Sequence, residues 1–259
     1  MAGGVRLEHD RHVAVLTIDR PEARNAIARA TMGELAAALD EVERSAARVL
    51  VVTGAGTRVF VAGGDLKELA AIRTDDEARA MAATMRTVLD RVAALPVPVV
   101  AAVNGDAYGG GAEVVVACDI RIAADDVRCA FNQVTLGIMP AWGGIERLTG
   151  LLGRGRALAL LTTGRVLDAA EAHDLGLFDE VVPRDGFDAR WREVAAQIAR
   201  APRAALVGIK AAQRAAFPTT HPDLAAGAIA SFAGTWVADD HWRMVDEAEQ
   251  RRRAARDRA

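Results

Sequence analysis

The sequence predicts an α/β fold closed by a helical region. Short apolar runs alternate with helical-period segments over about two thirds of the 259 residues, the pattern of strands covered by helices. Several of those runs are continuously apolar and end in glycine, as strands buried on both faces do. From Phe187 onward the pattern is helical to the end. Hydrophobic residues make up 51% and aromatics only 4%, so Ala, Val, Leu and Ile must build the core. The length suffices for one large core or two unequal domains.

"HVAVLTID" (12–19) alternates apolar and polar residues and is rich in β-branched types, so it reads as a strand. "RPEARNAI" (20–27) breaks it, and residues 31–47 take a helical period with Leu35, Leu39 and Val42 on one side. "RVLVVTGAG" (48–56) is a buried strand. A helix is expected from about residue 65 into the 80s, ending near "LPVPVV", where Pro96 and Pro98 forbid continuation. The order then repeats. "VPVVAAVNG" (97–105) is a strand, residues 110–118 a helix, and "DIRIAAD" (119–125) a strand. Residues 143–152 and 157–163 are helical, and "AAEAHDLGLFDEVVP" (169–183) precedes the closing helices.

The formal charge of -3 and pI near 6.0 give no overall drive towards nucleic acid or anionic membrane. "MAGGVRLEHDRHVAV" has no apolar core of signal-peptide length, and no apolar run is long enough to span a bilayer. A soluble cytoplasmic protein is the expectation. Cys118 and Cys129 lie in or beside apolar stretches; buried thiols of a reduced compartment are the first reading and a disulfide the other. His9, His12, His173, His221 and His241 are scattered without metal-ligand spacing. The charged tail "EAEQRRRAARDRA" reads as a solvated helix end, with a phosphate-binding patch as the alternative.

Two buried strands pass into helices through glycine, at "FVAGGDLKEL" (60–69) and "AYGGGAEV" (107–114). Bare backbone there lets N–H groups approach a ligand, and each following helix start aims unpaired donors and a positive dipole end at the same spot. Two such donors can form an oxyanion hole, each worth about 2.7–4 kcal/mol in a transition state. Glu113 stands beside the second turn, where desolvation raises a carboxyl pKa towards general acid–base use. Tight packing with dipole compensation is the competing reading. Neither turn has dinucleotide or phosphate-loop spacing.

Together the segments "LTIDRPEARNAI", "GAGTRVFVAGGDLKEL", "VPVVAAVNGDAYGGGAEVVVACDIRIAA", "LGIMPAWGGIERLTGLLGRGRA" and "LDAAEAHDLGLFDEVV" resemble the enoyl-CoA hydratase/isomerase (crotonase) superfamily over nearly the whole chain. The resemblance implies a spiral of ββα units over 1–195, carrying the CoA and active sites. It also implies a C-terminal helical trimerisation region over 196–259, assembly as a homotrimer or dimer of trimers, and an acyl-CoA substrate without further cofactor or metal. It places the oxyanion donors at Gly64 and Gly110, and wraps CoA around Ala62, Gly64, Asp65, Leu66 and Lys67. Lys67 then lies near phosphate, or is a plain exposed helix lysine.

Family hydratases use two glutamates about a water. The first matches Glu113; at the second position this chain has Gln133, which cannot exchange a proton near neutral pH. One carboxylate suffices for double-bond isomerisation, or for protonating the enolate left by decarboxylation. "GIMPAWGG", with Trp142 where many hydratases have a small residue, resembles the ethylmalonyl-CoA decarboxylase branch. Trp142 either shortens the acyl pocket for a small substrate or packs a helix start.

The resemblance therefore implies a hydratase/isomerase-type enzyme with Glu113 as proton carrier and Gln133 positioning substrate or water. Decarboxylation of methylmalonyl- or ethylmalonyl-CoA is the alternative, and non-catalytic acyl-CoA or RNA binding a further one. Tyr108 is a candidate donor to substrate or a core ring. Asp65 is expected to cap the helix after it. Asp106 and Glu146 are candidate pocket acids, or else surface or turn residues. Phe232, Trp236 and Trp242 are expected at an interface, a pocket floor or in the core.

Overall fold

The computed structural model describes residues 4–216 and 222–256; His221 and residues 257–259 of the charged tail lie outside them. β1 (Val5–Asp10) and β2 (Val13–Ile18) form an antiparallel hairpin, followed by α1 (Arg29–Arg44). Met32, Leu35, Leu39 and Val42 are the buried stripe of α1, as its period predicts. Then come β3 (Val49–Gly54), β4 (Val59–Val61), α2 (Leu66–Leu69) and α3 (Asp75–Ala94). The next unit is β5 (Val99–Val103), β6 (Asp106–Tyr108) and α4 (Gly110–Ala117). β7 (Ile120–Ala124) and β8 (Arg128–Ala130) lead through a 3-10 turn, Asn132–Leu136, to α5 (Gly144–Leu152) and α6 (Arg154–Thr163). After β9 (Leu167–Asp168), α7 (Ala169–Asp174) and β10 (Glu180–Val182), the elements among the described residues are all helices: α8 (Arg184–Arg200), α9 (Arg203–Ala216), α10 (Pro222–Trp236) and α11 (Asp239–Arg256).

The strands fall into two sheets, of order β1-β2-β3-β5-β7-β10 and β4-β6-β8-β9. Each of the three middle units sends its first strand to the large sheet and its second to the small one before turning into helix. That is the ββα repeat. β3 and β5 are parallel central strands with almost every residue buried, which is why they read as continuous apolar runs.

The expected helix from residue 65 into the 80s is two helices. α2 ends at Leu69, and Thr74 with Glu77 forms a capping box that starts α3 afresh. Ile72, in the break, is buried, and its carbonyl accepts from Trp236 Nε1 at 3.2 Å. That bond docks α10 on the break. Further tethers join the helical region to the core: Lys210 Nζ donates to Asp119 Oδ2 (2.6 Å) and Val97 O (3.1 Å). His241 Nδ1 lies 2.6 Å from Leu136 O, fixing α11 to the 3-10 turn.

Cys118 and Cys129 are free, buried thiols, and burial pushes both up to about 12. No helix among the described residues is long and apolar enough to cross a membrane.

Candidate active site

The two glycine turns meet because β4 and β6 are parallel neighbours, Val61 opposite Ala107, and both leave the small sheet at the same end. Gly63 has φ +93°, and a Cβ there would stand 3.1 Å from Gly110 N. The triplet in the second turn serves three different neighbours. Gly109 needs its φ of +55°, a Cβ on Gly110 would enter the Trp142 ring, and one on Gly111 would strike the Val61 carbonyl.

Both candidate donors are free to face a ligand. Gly110 is the first residue of α4, so its N–H has no intrahelical partner. At Gly64 a parallel bridge to Ile27 uses the flanking groups: Ile27 N donates to Gly63 O (2.8 Å) and Asp65 N to Ile27 O (2.9 Å). The N–H of Gly64 therefore points away from that bridge.

Glu113 follows one turn into α4 and is 2% exposed. Its Oε1 accepts from the backbone N–H of Trp142 (2.8 Å) and of Gly144 (2.9 Å). Its Oε2 accepts from Gln133 Nε2 at 3.0 Å. Burial raises this carboxyl to about 7, against the pull of the two backbone donors and Arg147. Gln133 arrives on the 3-10 turn after β8, the small-sheet neighbour of β6. Its Oε1 is buried without a hydrogen-bond partner among the described residues.

Two cavities meet at the glycines. An outer cleft of about 420 Å³ is lined by Arg24, Ala62, Tyr108 and Asn132 among others; an inner chamber of about 60 Å³ reaches Glu113, Met81, Trp142, Phe232 and Trp236. Gly64, Gly110 and Gln133 line both. A wider cleft of about 600 Å³ beside Arg6, Arg184 and Trp191 contains neither glycine turn nor Glu113, so volume alone does not locate the chemistry.

A family model described as enoyl-CoA hydratase/isomerase matches residues 8–252. The chain belongs to the enoyl-CoA hydratase/isomerase family. It is 40% identical over 195 residues to the short-chain-enoyl-CoA hydratase of Clostridium acetobutylicum, covering 75% of this chain and 74% of that one. It is 39% identical over 196 residues to the crotonyl-CoA hydratase of Syntrophomonas wolfei, covering 74% of each. The crystal structure of an enoyl-CoA hydratase from Bacillus anthracis superposes with TM-score 0.80 at 32% identity, covering 96% of both chains.

In this hydratase/isomerase family member, Gly64, Leu66, Gly110, Glu113, Gln133 and Trp142 converge on the inner chamber. Ala62 and Leu66 line the outer cleft, and Lys67 is exposed on α2. Asp65 occupies the N-cap position but makes no side-chain cap; Arg20 Nη2 takes its carboxylate at 3.0 Å. Tyr108 is half-buried on the outer cleft rather than a core ring, and donates to Asp106 Oδ2 at 3.1 Å. Asp106 also accepts from Arg128 N (2.9 Å), a turn role. Glu146 is neither a cavity acid nor a surface residue: it is buried and ion-paired with Arg86. Phe232 and Trp236 close the inner chamber, whereas Trp242 carries Arg73 over its ring at 3.6 Å.

Sequence reasoning missed Arg147, Asp90 and Arg86 behind Glu113. A signal existed, for Arg86 sits at Asp90 minus four among Met85, Val88 and Leu89, on the apolar face of α3 where a lone charge needs partners.

Proposed function

We propose that this chain performs one-acid enolate chemistry on short acyl-CoA thioesters, principally migration of a double bond between C3–C4 and C2–C3. The carrying observation is that Glu113 is the only carboxylate lining the inner chamber among the described residues. With the CoA arm in the outer cleft, the thioester oxygen sits between the N–H groups of Gly64 and Gly110. Glu113 Oε2 takes the C2 proton of a 3-enoyl thioester, and the electron pair spreads into a dienolate whose charge those N–H groups hold. The protonated carboxyl then returns the proton at C4, leaving the C2–C3 double bond and an ionised Glu113.

Gln133 hydrogen-bonds Glu113 and borders the acyl group but moves no proton, so the two-acid route for adding water is incomplete. The chamber supports a small acyl group, since about 60 Å³ is well below the roughly 150 Å³ of a cavity that holds benzene. Trp142 supports the same limit by lying across both glycines.

A second reading, loss of carbon dioxide from a malonyl-type thioester, is favoured by one feature. No lysine or arginine is among the chamber's described lining, so a carboxylate there gains by leaving as neutral carbon dioxide. Glu113, raised to about 7, has a proton available for C2 of the resulting enolate.

Liquid chromatography coupled to mass spectrometry on 3-butenoyl-CoA, crotonyl-CoA and methylmalonyl-CoA separates the reactions, the chromatography resolving the two butenoyl isomers, whose masses are equal. The native protein is expected to isomerise 3-butenoyl-CoA and hydrate crotonyl-CoA slowly. Gln133→Glu should raise hydration by at least about 10²-fold, the low end of an acid–base contribution. Native hydration as fast as that of Gln133→Glu contradicts the one-acid proposal; decarboxylation without isomerisation selects the second reading.

A further inference from the structure

Behind Glu113 lies a neutral set of four charges, Arg86 and Asp90 on α3 with Glu146 and Arg147 on α5. Arg86 Nε donates to both Asp90 oxygens at 3.0 Å, Arg86 pairs with Glu146, and Arg147 pairs with Asp90. The Arg147 side chain is 1% exposed and Arg86 3%. Burying such a network is a poor route to stability, because well-packed apolar residues often do as well.

Its geometry has another use. Arg147 Nη1 donates to the Trp142 carbonyl at 2.9 Å, on the segment whose N–H groups bind Glu113. Gly143, at φ +98°, has no room for a side chain beside the Arg147 guanidinium; a Cβ on Gly144 would stand 2.5 Å from Glu113 Cγ. The backbone of residues 142–144 is thus clasped between arginine and glutamate.

We propose that Arg147, aimed by Asp90, is a positioning residue: it pins the Trp142 carbonyl so that the Trp142 and Gly144 N–H groups meet Glu113 Oε1, leaving Oε2 to carry the proton. This rests on Glu113 being the proton-transfer group. Freed from Arg147, the segment shifts and its two donors slip. Those donors favour the ionised carboxylate, so losing them moves the ionisation of Glu113 to higher pH.

Charge alone predicts a different pattern. The charged groups around Glu113 are Arg147 and Glu146 on α5, and behind them Arg86 and Asp90 on α3. The 3-10 turn and α10 contribute Gln133, Phe232 and Trp236, none of which ionises, while His241 of α11 is engaged with Leu136 O. Removing Asp90 takes away a negative charge, which by Coulomb's law alone would lower the midpoint. Unpinning Arg147 raises it.

The test is the pH profile of kcat/KM for 3-butenoyl-CoA in Arg147→Gln, Arg147→Lys and Asp90→Ala, beside native protein and Glu113→Gln. Arg147→Gln is expected to lose about 10–10²-fold of kcat at pH 7 with little change in KM, as a misplaced catalytic group does. Its midpoint should rise, Arg147→Lys should restore part of both, and Asp90→Ala should also move the midpoint up. An unmoved midpoint in the Arg147 variants, or a downward shift in Asp90→Ala, overturns the proposal. Should Arg147→Gln fail to fold, the other two variants still decide. A fully active Glu113→Gln would instead remove Glu113 as the base, whereas an inactive one with unmoved midpoints rejects Arg147 alone.

Discussion

Glu113→Gln is expected to lose about 10²–10⁴-fold of kcat on every thioester the protein turns over, and to gain stability above neutral pH. Both effects come from one cause, a carboxyl held at about 7 by burial. The folded protein binds this proton more tightly than the unfolded chain, where the group has its ordinary value of 4.5. Its contribution to stability is therefore fully present below pH 4.5 and is lost as pH rises through about 7. At pH 8 the ionised, desolvated carboxylate costs the fold about 3 kcal/mol.

Glutamine in its place keeps an acceptor for the Trp142 and Gly144 N–H groups, and its NH2 can meet Gln133 Oε1, unpartnered in the native protein, once that amide turns. Thermal unfolding at pH 5 and pH 8 checks this. The variant should exceed the native protein at pH 8 by a margin that narrows at pH 5, and equal stability at both would refute the burial cause. A functional group that destabilises its own fold is a common trade-off.

Gly110→Ala is the second large effect. Its Cβ would lie 2.6 Å from Trp142 Cε3 and 2.7 Å from Cη2, against a ring only 6% exposed that cannot swing aside. The start of α4 must then shift, carrying the Gly110 N–H away from the thioester oxygen. Loss of one oxyanion donor costs about 10²–10³-fold in kcat. Gly64→Ala is the internal comparison, because its Cβ meets the end of a flexible side chain, Leu69 Cδ1, at 2.8 Å. Steady-state kinetics should show the smaller loss there; equal losses would mean that Trp142 does not dictate the glycine at 110.

How much of the fold and site is legible in the sequence follows from how far each residue's partners lie along the chain. β2, β3, β5 and β7 run for five or six residues, long enough for burial on one or both faces to leave a pattern. β4, β6 and β8 have three residues each, too few to alternate, and exist because they pair with one another. Glu113 and Gln133 were reachable through family motifs. The need for three glycines was visible, but its reasons were not, since they reside in Val61 and Trp142 on other elements. Arg147 was hidden for the same reason: Asp90, which aims it, lies 57 residues earlier. Asp65 misled because its position is that of an N-cap, while Arg20, 45 residues away, claims the side chain.

The claim that one buried carboxylate does all the proton transfer is tested most directly by kcat/KM for 3-butenoyl-CoA isomerisation across pH 5–9. The ionised form of Glu113 is the base, so the rate should rise along a single limb with its midpoint near 7 and then level off. A bell-shaped profile, which requires a second titrating group, or a flat one would contradict it.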